Sequence, residues 1–158
     1  MAIVRPFKAI RPTRDKANLV ATRSYLSYSD ETLKEKLEHN PFTFLHIINP
    51  NIKQKGINKF NAVKAKFNDF KEAWVFITED TETFYIYQQT NENQTFEGII
   101  GATAVADYLN GNIKKHEHTI TAREKMFESY LDTTGFNAEP VLLCHQKNTA
   151  VTNLIQNY

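Results

Sequence analysis

The longest periodic run of hydrophobic positions lies near the middle of the chain and predicts a helix over residues 57–73. Phe60, Val63, Phe67 and Phe70 recur at intervals of three or four positions, so they share one face of such a helix. We interpret this aromatic stripe as the side of the helix that packs into a core, not as a cofactor-binding surface.

Two further helices are indicated by residues that cap helix ends. Ser29-Asp30 can cap a helix over residues 31–38. Thr121-Ala122-Arg123-Glu124 has the form of a capping box, which predicts a helix that begins there and ends at Gly135. Its buried face is expected to hold Met126, Phe127, Tyr130 and Leu131.

Runs rich in β-branched and aromatic residues predict strands, with polar residues between them. These runs cover residues 42–48, 74–78, 83–89 and 140–145, and a short extended segment covers residues 5–10. Residues 95–105 are expected to form a returning strand, or a strand followed by the start of a helix. Asn91-Glu92-Asn93-Gln94 is expected to be a turn, and Val105 to Leu109 a helical turn ended by Gly111. Gly98 and Gly101 indicate a bulge or a close approach of two backbone segments.

Together these elements predict an α/β (α+β) fold, a compact domain with mixed sheets and flanking helices. His46 is expected to be a hydrogen-bonded histidine of the sheet or core. Cys144 follows Val141-Leu142-Leu143, and we expect it to be a small buried residue of a strand rather than a nucleophile.

The composition disfavours several classes of function. The chain has 158 residues, 41% of them hydrophobic, which is enough for one domain with a real core. A formal net charge of +1 gives no general attraction to nucleic acid or membrane surfaces. One cysteine excludes an internal disulfide, and no apolar run approaches the roughly 20 residues of a membrane span. We therefore expect a cytoplasmic, soluble protein with small-molecule partners, and neither nucleic acid nor a membrane as a partner.

The residues with the clearest chemical capacity come directly before the helix predicted at Thr121. Glu117 stands between two histidines and follows two lysines, in the order Asn112-Ile113-Lys114-Lys115-His116-Glu117-His118-Thr119. A carboxylate can accept a proton from a substrate hydroxyl. A helix N-terminus attracts anions through its unpaired backbone N–H groups and its dipole. The segment thus combines a general base with donors for an anion.

Three interpretations of this segment stay open. In the first, Glu117 is a general base or positioning group for a hydroxyl nucleophile, and Lys114, Lys115 and the helix N-terminus stabilise a phosphoryl group in transfer. In the second, His116 and His118 are metal ligands, but a His-x-His pair without a third ligand is a weak metal signal, and we assign no metal site. In the third, the segment is a solvated turn without chemistry.

Motifs along most of the chain share one resemblance. They read Arg5-Pro6-Phe7-Lys8-Ala9-Ile10-Arg11-Pro12, Asn40-Pro41-Phe42-Thr43-Phe44-Leu45-His46-Ile47-Ile48-Asn49-Pro50, Tyr85-Ile86-Tyr87-Gln88-Gln89-Thr90, Asp107-Tyr108 with Gly111 and Ile113-Lys114-Lys115-His116-Glu117-x-Thr119, and Glu139-Pro140-Val141. Taken together, they resemble the N-terminal part of the bacterial and archaeal domain-of-unknown-function family 1015. The resemblance implies that residues 1–158 are a single domain corresponding to the first part of a longer protein.

That family in turn resembles the ParB/sulfiredoxin-like superfamily, which includes free-serine kinases. In those kinases a His-Glu pair precedes a helix and then a buried strand, as His116-Glu117, the helix at Thr121 and residues 141–144 do here. A ParB/sulfiredoxin-like portion is therefore expected in the C-terminal half. The Glu of the pair is the catalytic base that acts on the serine hydroxyl, which implies this role for Glu117.

The resemblance also implies a phosphoryl donor, ATP or ADP, with Mg²⁺. Around the donor and the substrate we expect contacts from Lys114, Lys115, His116, His118, Thr119 and Arg123. Genes of the family often lie beside genes for serine biosynthesis, which is compatible with a serine or phosphoserine ligand.

Departures from the family pattern support a different hypothesis. An Asp-Gly-His-His-Arg motif, which in the family and in those kinases binds nucleotide phosphate and metal, does not occur before Tyr158. The family's Lys-Glu-x-Asp-Arg reads Arg123-Glu124-Lys125-Met126-Phe127 here, and its Pro-Tyr-Asp reads Ser24-Tyr25-Leu26. Such losses are typical of a degenerate, non-catalytic paralogue.

Two hypotheses of function follow. The first is a kinase-like transferase of serine metabolism, which moves a phosphoryl group from a nucleotide to free serine or a similar hydroxy amino acid. The second is a non-catalytic ligand-binding or protein-interaction module.

Overall fold

A computed structural model describes residues 2–49, 56–114 and 120–157. These residues form helices and short antiparallel strand pairs, which confirms the predicted α+β class. The chain divides into two compact units, called unit 1 and unit 2. Unit 1 contains the described residues of Met1–Lys8, Asp80–His118 and Ala138–Tyr158, and unit 2 contains those of Ala9–Glu79 and Thr119–Asn137. The single domain expected over residues 1–158 stays a prediction.

The helices and strands of the described residues alternate irregularly along the chain. In order, they are β1 (Val4–Arg5), β2 (Ile10–Pro12), α1 (Ala17–Val20), a 3-10 turn (Tyr25–Ser27), α2 (Asp30–His39), α3 (Leu45–Ile48), α4 (Ile57–Glu72), β3 (Phe76–Thr78), β4 (Tyr85–Thr90), β5 (Thr95–Ile100), β6 (Ala102–Thr103), α5 (Val105–Leu109), α6 (Thr121–Thr134) and α7 (Thr149–Gln156).

The hydrophobic core of unit 2 forms around α4. Val63 and Phe70 of the predicted aromatic stripe are buried there, while Phe60 and Phe67 are half-buried. The ring of Phe67 stacks on that of Phe136, with 4.1 Å between the ring centroids. The prediction that this stripe is core packing is therefore confirmed. Its buried neighbours in the core cluster are Val20, Ile47, Val75 and Phe76.

The strand pair of unit 2 closes the core on one side. β2 and β3 are antiparallel, with Ile10 opposite Thr78. The carbonyl oxygen of Ala9 accepts a hydrogen bond of 2.9 Å from the backbone N–H of Glu79, and the Glu79 carboxylate forms an ion pair with Arg11. The strand predicted from Trp74 begins two residues later, because Trp74 sits in the turn after α4 with a φ of 54°.

The strand predicted over residues 42–48 is wrong, because this stretch contains the helix α3. Asn40 organises the turn before it: its side-chain oxygen accepts from the N–H of Phe42 at 3.0 Å, and its carbonyl oxygen accepts from the N–H of Thr43 at 3.4 Å. His46 lies in α3, and its Nε2 hydrogen-bonds to the Asn40 carbonyl at 3.0 Å. The expected hydrogen-bonded histidine is confirmed, although a helix, not a strand, carries it.

Helix α6 has the predicted length but a narrower buried face. Tyr130 and Phe127 are half-buried and Thr134 is buried, whereas Met126 and Leu131 are exposed, which corrects the prediction for those two. Gly135 ends the helix in a left-handed conformation with φ of 73°, as predicted. The helices of the described residues are too short or too polar to span a membrane.

Unit 1 contains two antiparallel strand pairs, β1 with β6 and β4 with β5. The turn between β4 and β5 is the predicted one, and the Asn91 side-chain oxygen accepts a 2.8 Å hydrogen bond from the N–H of Gln94. Gly101 is a point of close approach, because a Cβ placed there would lie 2.6 Å from Cγ1 of Val4. The predicted close approach is confirmed for Gly101, whereas Gly98 faces open space.

The buried strand predicted over residues 140–145 is wrong. This stretch has no regular secondary structure, Val141 and Leu142 are 80% and 88% exposed, and Cys144 is exposed as well. A last helix follows this stretch, α7, with Asn148 as its cap. Among the described residues, every buried hydrophobic side chain belongs to unit 2, and the apolar residues of unit 1 are half-buried or exposed.

Candidate functional site

The segment with the predicted chemistry begins after α5, where the backbone changes direction. Helix α5 ends at Leu109 with Asn110 as its C-cap, and Gly111 has a φ of 75°, a left-handed conformation that favours glycine. The backbone N–H of Ile113 then donates a hydrogen bond of 3.0 Å to the carbonyl oxygen of Asp107. These contacts position the chain up to Lys114, whose side chain is exposed.

Asp107 is the buried carboxylate that holds this turn. Its Oδ2 accepts a hydrogen bond of 2.9 Å from the backbone N–H of Ile3, and its Oδ1 accepts one of 2.8 Å from the side-chain amide of Asn112. The hydrogen bond from Ile3, followed by the one from Asn112, lowers the pKa of Asp107 below its ordinary value of 3.8. One oxygen accepts from a backbone N–H and the other from a side-chain amide, so we interpret Asp107 as a structural residue.

The segment leads into the N-terminus of α6, which begins at Thr121 as predicted. The predicted capping box does not form, because Ile120 is the N-cap residue and no side chain caps the helix. The backbone N–H groups of Arg123 and Glu124 both donate to the carbonyl oxygen of Ile120, at 2.8 and 3.1 Å.

The first two N–H groups of α6 lie at exposed residues and have no acceptor in the part of the chain that the structure describes. They are the backbone N–H groups of Thr121 and Ala122. Such N–H groups, together with the helix dipole, attract an anion.

The structure places two of the predicted site residues. Lys114 is an exposed residue of unit 1, and Arg123 is an exposed residue in the first turn of α6 in unit 2. The remaining five lie outside the described residues, so their predicted roles stay predictions: Lys115, His116, Glu117, His118 and Thr119.

A polar cleft in unit 2 was not predicted. Its volume is about 350 Å³, and α2 supplies one wall with Thr32, Glu35, Lys36 and His39. These positions follow the helical spacing of three and four residues, which places them on one face. That spacing was the one feature of the sequence that could have indicated the cleft. Polar residues on one side of a helix, however, most often form a face that only contacts solvent. The remaining lining residues are Asn18, Ala21, Thr22, Asn40 and Thr43.

Tyr28 fixes the backbone beside this cleft. Its hydroxyl forms a hydrogen bond of 3.2 Å with the Thr22 hydroxyl and accepts another of 3.2 Å from the backbone N–H of Arg23. These two hydrogen bonds, the one to Thr22 first, lower the pKa of the Tyr28 phenol below its ordinary value of 10.0. The Nζ atom of Lys36 lies 5.2 Å from the centre of the Tyr28 ring.

The fold and these sites define a small α+β protein with an anion-attracting helix N-terminus and a separate polar cleft. Over residues 4–158 the sequence matches a family model whose description is "Protein of unknown function (DUF1015)", which is the domain-of-unknown-function family 1015. The chain belongs to this family, and the resemblance seen in its motifs is thereby confirmed. No curated protein and no solved structure matches the chain.

Proposed function

We propose that the protein is a kinase-like enzyme that transfers a phosphoryl group from ATP or ADP to the hydroxyl of free serine or a similar hydroxy amino acid. The observation that carries the proposal is the order of residues at 116–121, in a member of family 1015. His116-Glu117 stands just ahead of a helix whose first backbone N–H groups have no described partner. The resemblance of the His-Glu pair and the helix after it to the ParB/sulfiredoxin-like free-serine kinases supplies the reaction class, although residues 140–145 do not form the buried strand that follows in those kinases.

The described donors suit a phosphate. The N–H groups of Thr121 and Ala122 point to anion binding by their position, because the first turn of an α-helix carries a partial positive charge. Arg123 follows in the same turn with an exposed side chain. A contact of Lys114, which belongs to unit 1, with the phosphate stays a prediction from the sequence. Phosphoryl transfer asks a protein chiefly for such positioning and charge stabilisation.

The proposed step uses one proton acceptor. The serine hydroxyl oxygen forms a bond with the terminal phosphorus of the nucleotide while the bond from that phosphorus to the bridging oxygen breaks. Glu117 takes the hydroxyl proton, and the nucleotide leaves with one phosphate fewer. Lys115 and His116 contact the phosphoryl oxygens, and His118 and Thr119 contribute to the substrate or phosphate contacts.

A magnesium ion that accompanies the nucleotide stays a prediction, because such an ion is held chiefly by phosphate oxygens, water and one or two carboxylates. Within residues 2–49, 56–114 and 120–157, no three His, Cys, Asp or Glu side chains are grouped so that they could hold a metal ion. No step of the proposal is therefore derived through Mg²⁺, and the charge stabilisation is assigned to the cations and N–H groups named above.

The test is a product assay with a matched pair of variants. The protein is incubated with free serine and either ATP or ADP, and phosphoserine is measured by mass spectrometry. Glu117→Gln is expected to abolish product without unfolding the protein, whereas Glu92→Gln, in the exposed turn after β4, is expected to leave turnover unchanged. Unchanged turnover in Glu117→Gln would refute the catalytic role.

A non-catalytic interaction module is the second candidate, and a specific observation favours it. Val141 and Leu142 expose most of their apolar surface, and unit 1 has no buried hydrophobic side chain among its described residues. Exposed apolar surface of this kind is typical of a protein that binds a partner. If this function holds, Leu142→Ser weakens partner binding and no phosphoserine forms with either nucleotide.

A further inference from the structure

The polar cleft of unit 2 is assembled from three chain segments that are joined by hydrogen bonds. The last residue of α1 is tied to the start of α3 by a bond of 3.0 Å from the Phe44 N–H to the Val20 carbonyl. The Asn40 side-chain amide, at the end of α2, donates a bond of 2.7 Å to the Leu19 carbonyl. These ties hold the walls in place without a ligand, so the cleft is preformed.

Three exposed side chains on the α2 wall, Glu35, Lys36 and His39, carry charge or an open acceptor. The Nδ1 atom of His39 donates to the Glu35 backbone carbonyl at 2.9 Å, because a carbonyl can only accept. In the neutral ring, Nε2 is therefore an acceptor. Within the described part of the chain, neither His39 Nε2 nor the Glu35 carboxylate has a protein partner.

Lys36, the residue after Glu35 in α2, supplies a positive charge opposite to that of the Glu35 carboxylate. The Lys36 ammonium has no carboxylate partner among the described residues and lies over the ring of Tyr28. The cleft therefore offers a carboxylate and an imidazole nitrogen that accept hydrogen bonds, and an ammonium that donates them. A ligand with one cationic and one anionic group matches this set. A dianion such as phosphate would be repelled by the negative charge of the Glu35 carboxylate.

The rest of the lining is made mostly of residues with hydroxyl or amide groups. Apart from Ala21 they are Thr and Asn residues, and several of their polar groups already form hydrogen bonds within the protein, such as the Thr22 hydroxyl and the Asn40 side chain. A volume of about 350 Å³ is at the small end of the range for ligand pockets, so the space suits a small metabolite.

We propose that this cleft binds a free α-amino acid with a polar, uncharged side chain, its ammonium on Glu35 and His39 and its carboxylate on Lys36. This inference is independent of the phosphoryl-transfer proposal, which concerns residues 114–123. All of the lining residues belong to unit 2, and none of them is in that segment.

The test begins with ligands on the unchanged protein. Serine, asparagine and glutamine are titrated by calorimetry, with leucine as the apolar comparison. At least one of the three polar amino acids is expected to bind more tightly than leucine. If serine is the ligand, 3-hydroxypropionate, which lacks the amine, and ethanolamine, which lacks the carboxylate, each bind at least about tenfold more weakly. If asparagine or glutamine is the ligand, its analogues that lack the α-amine or the α-carboxylate are expected to bind more weakly in the same way. Equal binding of these analogues overturns the inference, as does the absence of binding by all three amino acids.

Variants then locate the bound amino acid. Glu35→Gln and Lys36→Gln are each expected to weaken binding at least about tenfold, because a charge-assisted contact is lost. Lys34→Gln and Glu38→Gln are matched controls: these exposed side chains pair with each other at 3.8 Å on the same helix and do not line the cleft, so affinity should stay unchanged.

Glu117→Gln separates this inference from the proposed function. If the cleft binds the amino acid, this variant keeps the affinity of the unchanged protein even when it forms no phosphoserine. Loss of binding in Glu117→Gln, with binding intact in Glu35→Gln and Lys36→Gln, assigns the amino acid to residues 114–123 and overturns the cleft site.

Discussion

The carboxylate of Asp107 accepts a hydrogen bond of 2.9 Å from the backbone N–H of Ile3, across 104 positions of the chain. The same carboxylate binds the Asn112 side chain at the start of the candidate segment. One buried acidic residue thus connects the N-terminal strand region of unit 1 with the turn that leads to Lys114.

Asp107→Asn is expected to destabilise unit 1. The substitution replaces one of the two acceptor oxygens by a donor, so either the Ile3 N–H or the Asn112 amide loses its partner in a buried position. Urea unfolding should show a lower midpoint than for the unchanged protein. Asp80→Asn, an exposed position in the same unit, is the control and should leave the midpoint in place. Equal midpoints for the two variants would contradict the role of Asp107.

The lowered pKa of Asp107 predicts an acid-dependent loss of stability. A carboxyl group whose pKa is lower in the folded than in the unfolded chain stabilises the fold above the unfolded pKa, and this contribution is lost as the pH falls through the folded pKa. The free energy of unfolding should therefore decrease between about pH 5 and about pH 3, and decrease less in Asp107→Asn. Urea titrations of both proteins across this range measure the difference. Parallel pH profiles would show that Asp107 is not the titrating group.

Gly101→Ala is expected to destabilise the pairing of β1 with β6. The added Cβ would lie 2.6 Å from Val4 Cγ1, 3.0 Å from Phe84 Cε1 and 3.2 Å from the Arg5 carbonyl oxygen. The Val4 side chain can move, but the backbone oxygen of a paired strand cannot, so we expect a cost of about 1 to 3 kcal/mol. Gly98→Ala is the matched control, because a Cβ there meets nothing within 4 Å. Similar unfolding midpoints for the two variants would rule out the close approach.

Trp74→Gly is expected to stabilise unit 2. Trp74 has a φ of 54°, which is strained for an L-residue with a bulky side chain, and the side chain is 73% exposed, so little packing is lost. The substitution releases the backbone strain but adds the conformational entropy cost of a glycine. Because the strain is the larger effect, the free energy of unfolding should rise by about 0.5 to 1 kcal/mol. Ala73→Gly, at a φ of −79°, is the control and should lower it. A lower stability for Trp74→Gly would show that the indole contributes packing that outweighs the strain.

The long helices were predictable because local signals and burial agree in them. The stripe from Phe60 to Phe70 and the cap at Ser29 act within a few residues, and the structure uses them as predicted. Gly135 likewise ends α6 in the left-handed conformation that glycine favours.

The two strand predictions that are wrong, over residues 42–48 and 140–145, are wrong for different physical reasons. Residues 42–48 are rich in strand-forming residues, but hydrogen bonds to Asn40 and to the Val20 carbonyl turn this stretch into a short helix, and a run of this length cannot be assigned by periodicity. Residues 140–145 form an apolar run that is exposed rather than buried. Apolar composition predicts burial only where a partner surface exists, and the sequence does not show that surface.

The candidate site was only partly predictable. Residue types and order identified the segment from Lys114 to Arg123, and the helix start at Thr121 is confirmed. The absence of a side-chain cap at Ile120 depends on backbone geometry, so the capping-box pattern did not reveal it. The cleft beside α2 is lined by residues up to 25 positions apart in the chain, such as Asn18 and Thr43. No local sequence pattern shows that such distant residues come together.

The most direct measurement uses serine labelled with ¹⁸O in its hydroxyl group. After incubation with the protein and ATP or ADP, mass spectrometry of phosphoserine reports which oxygen attacked phosphorus. We predict that phosphoserine forms with the label retained between carbon and phosphorus, and that none forms with Glu117→Gln. Absence of phosphoserine with both nucleotides, from protein that is folded and binds nucleotide, would contradict the proposed transfer.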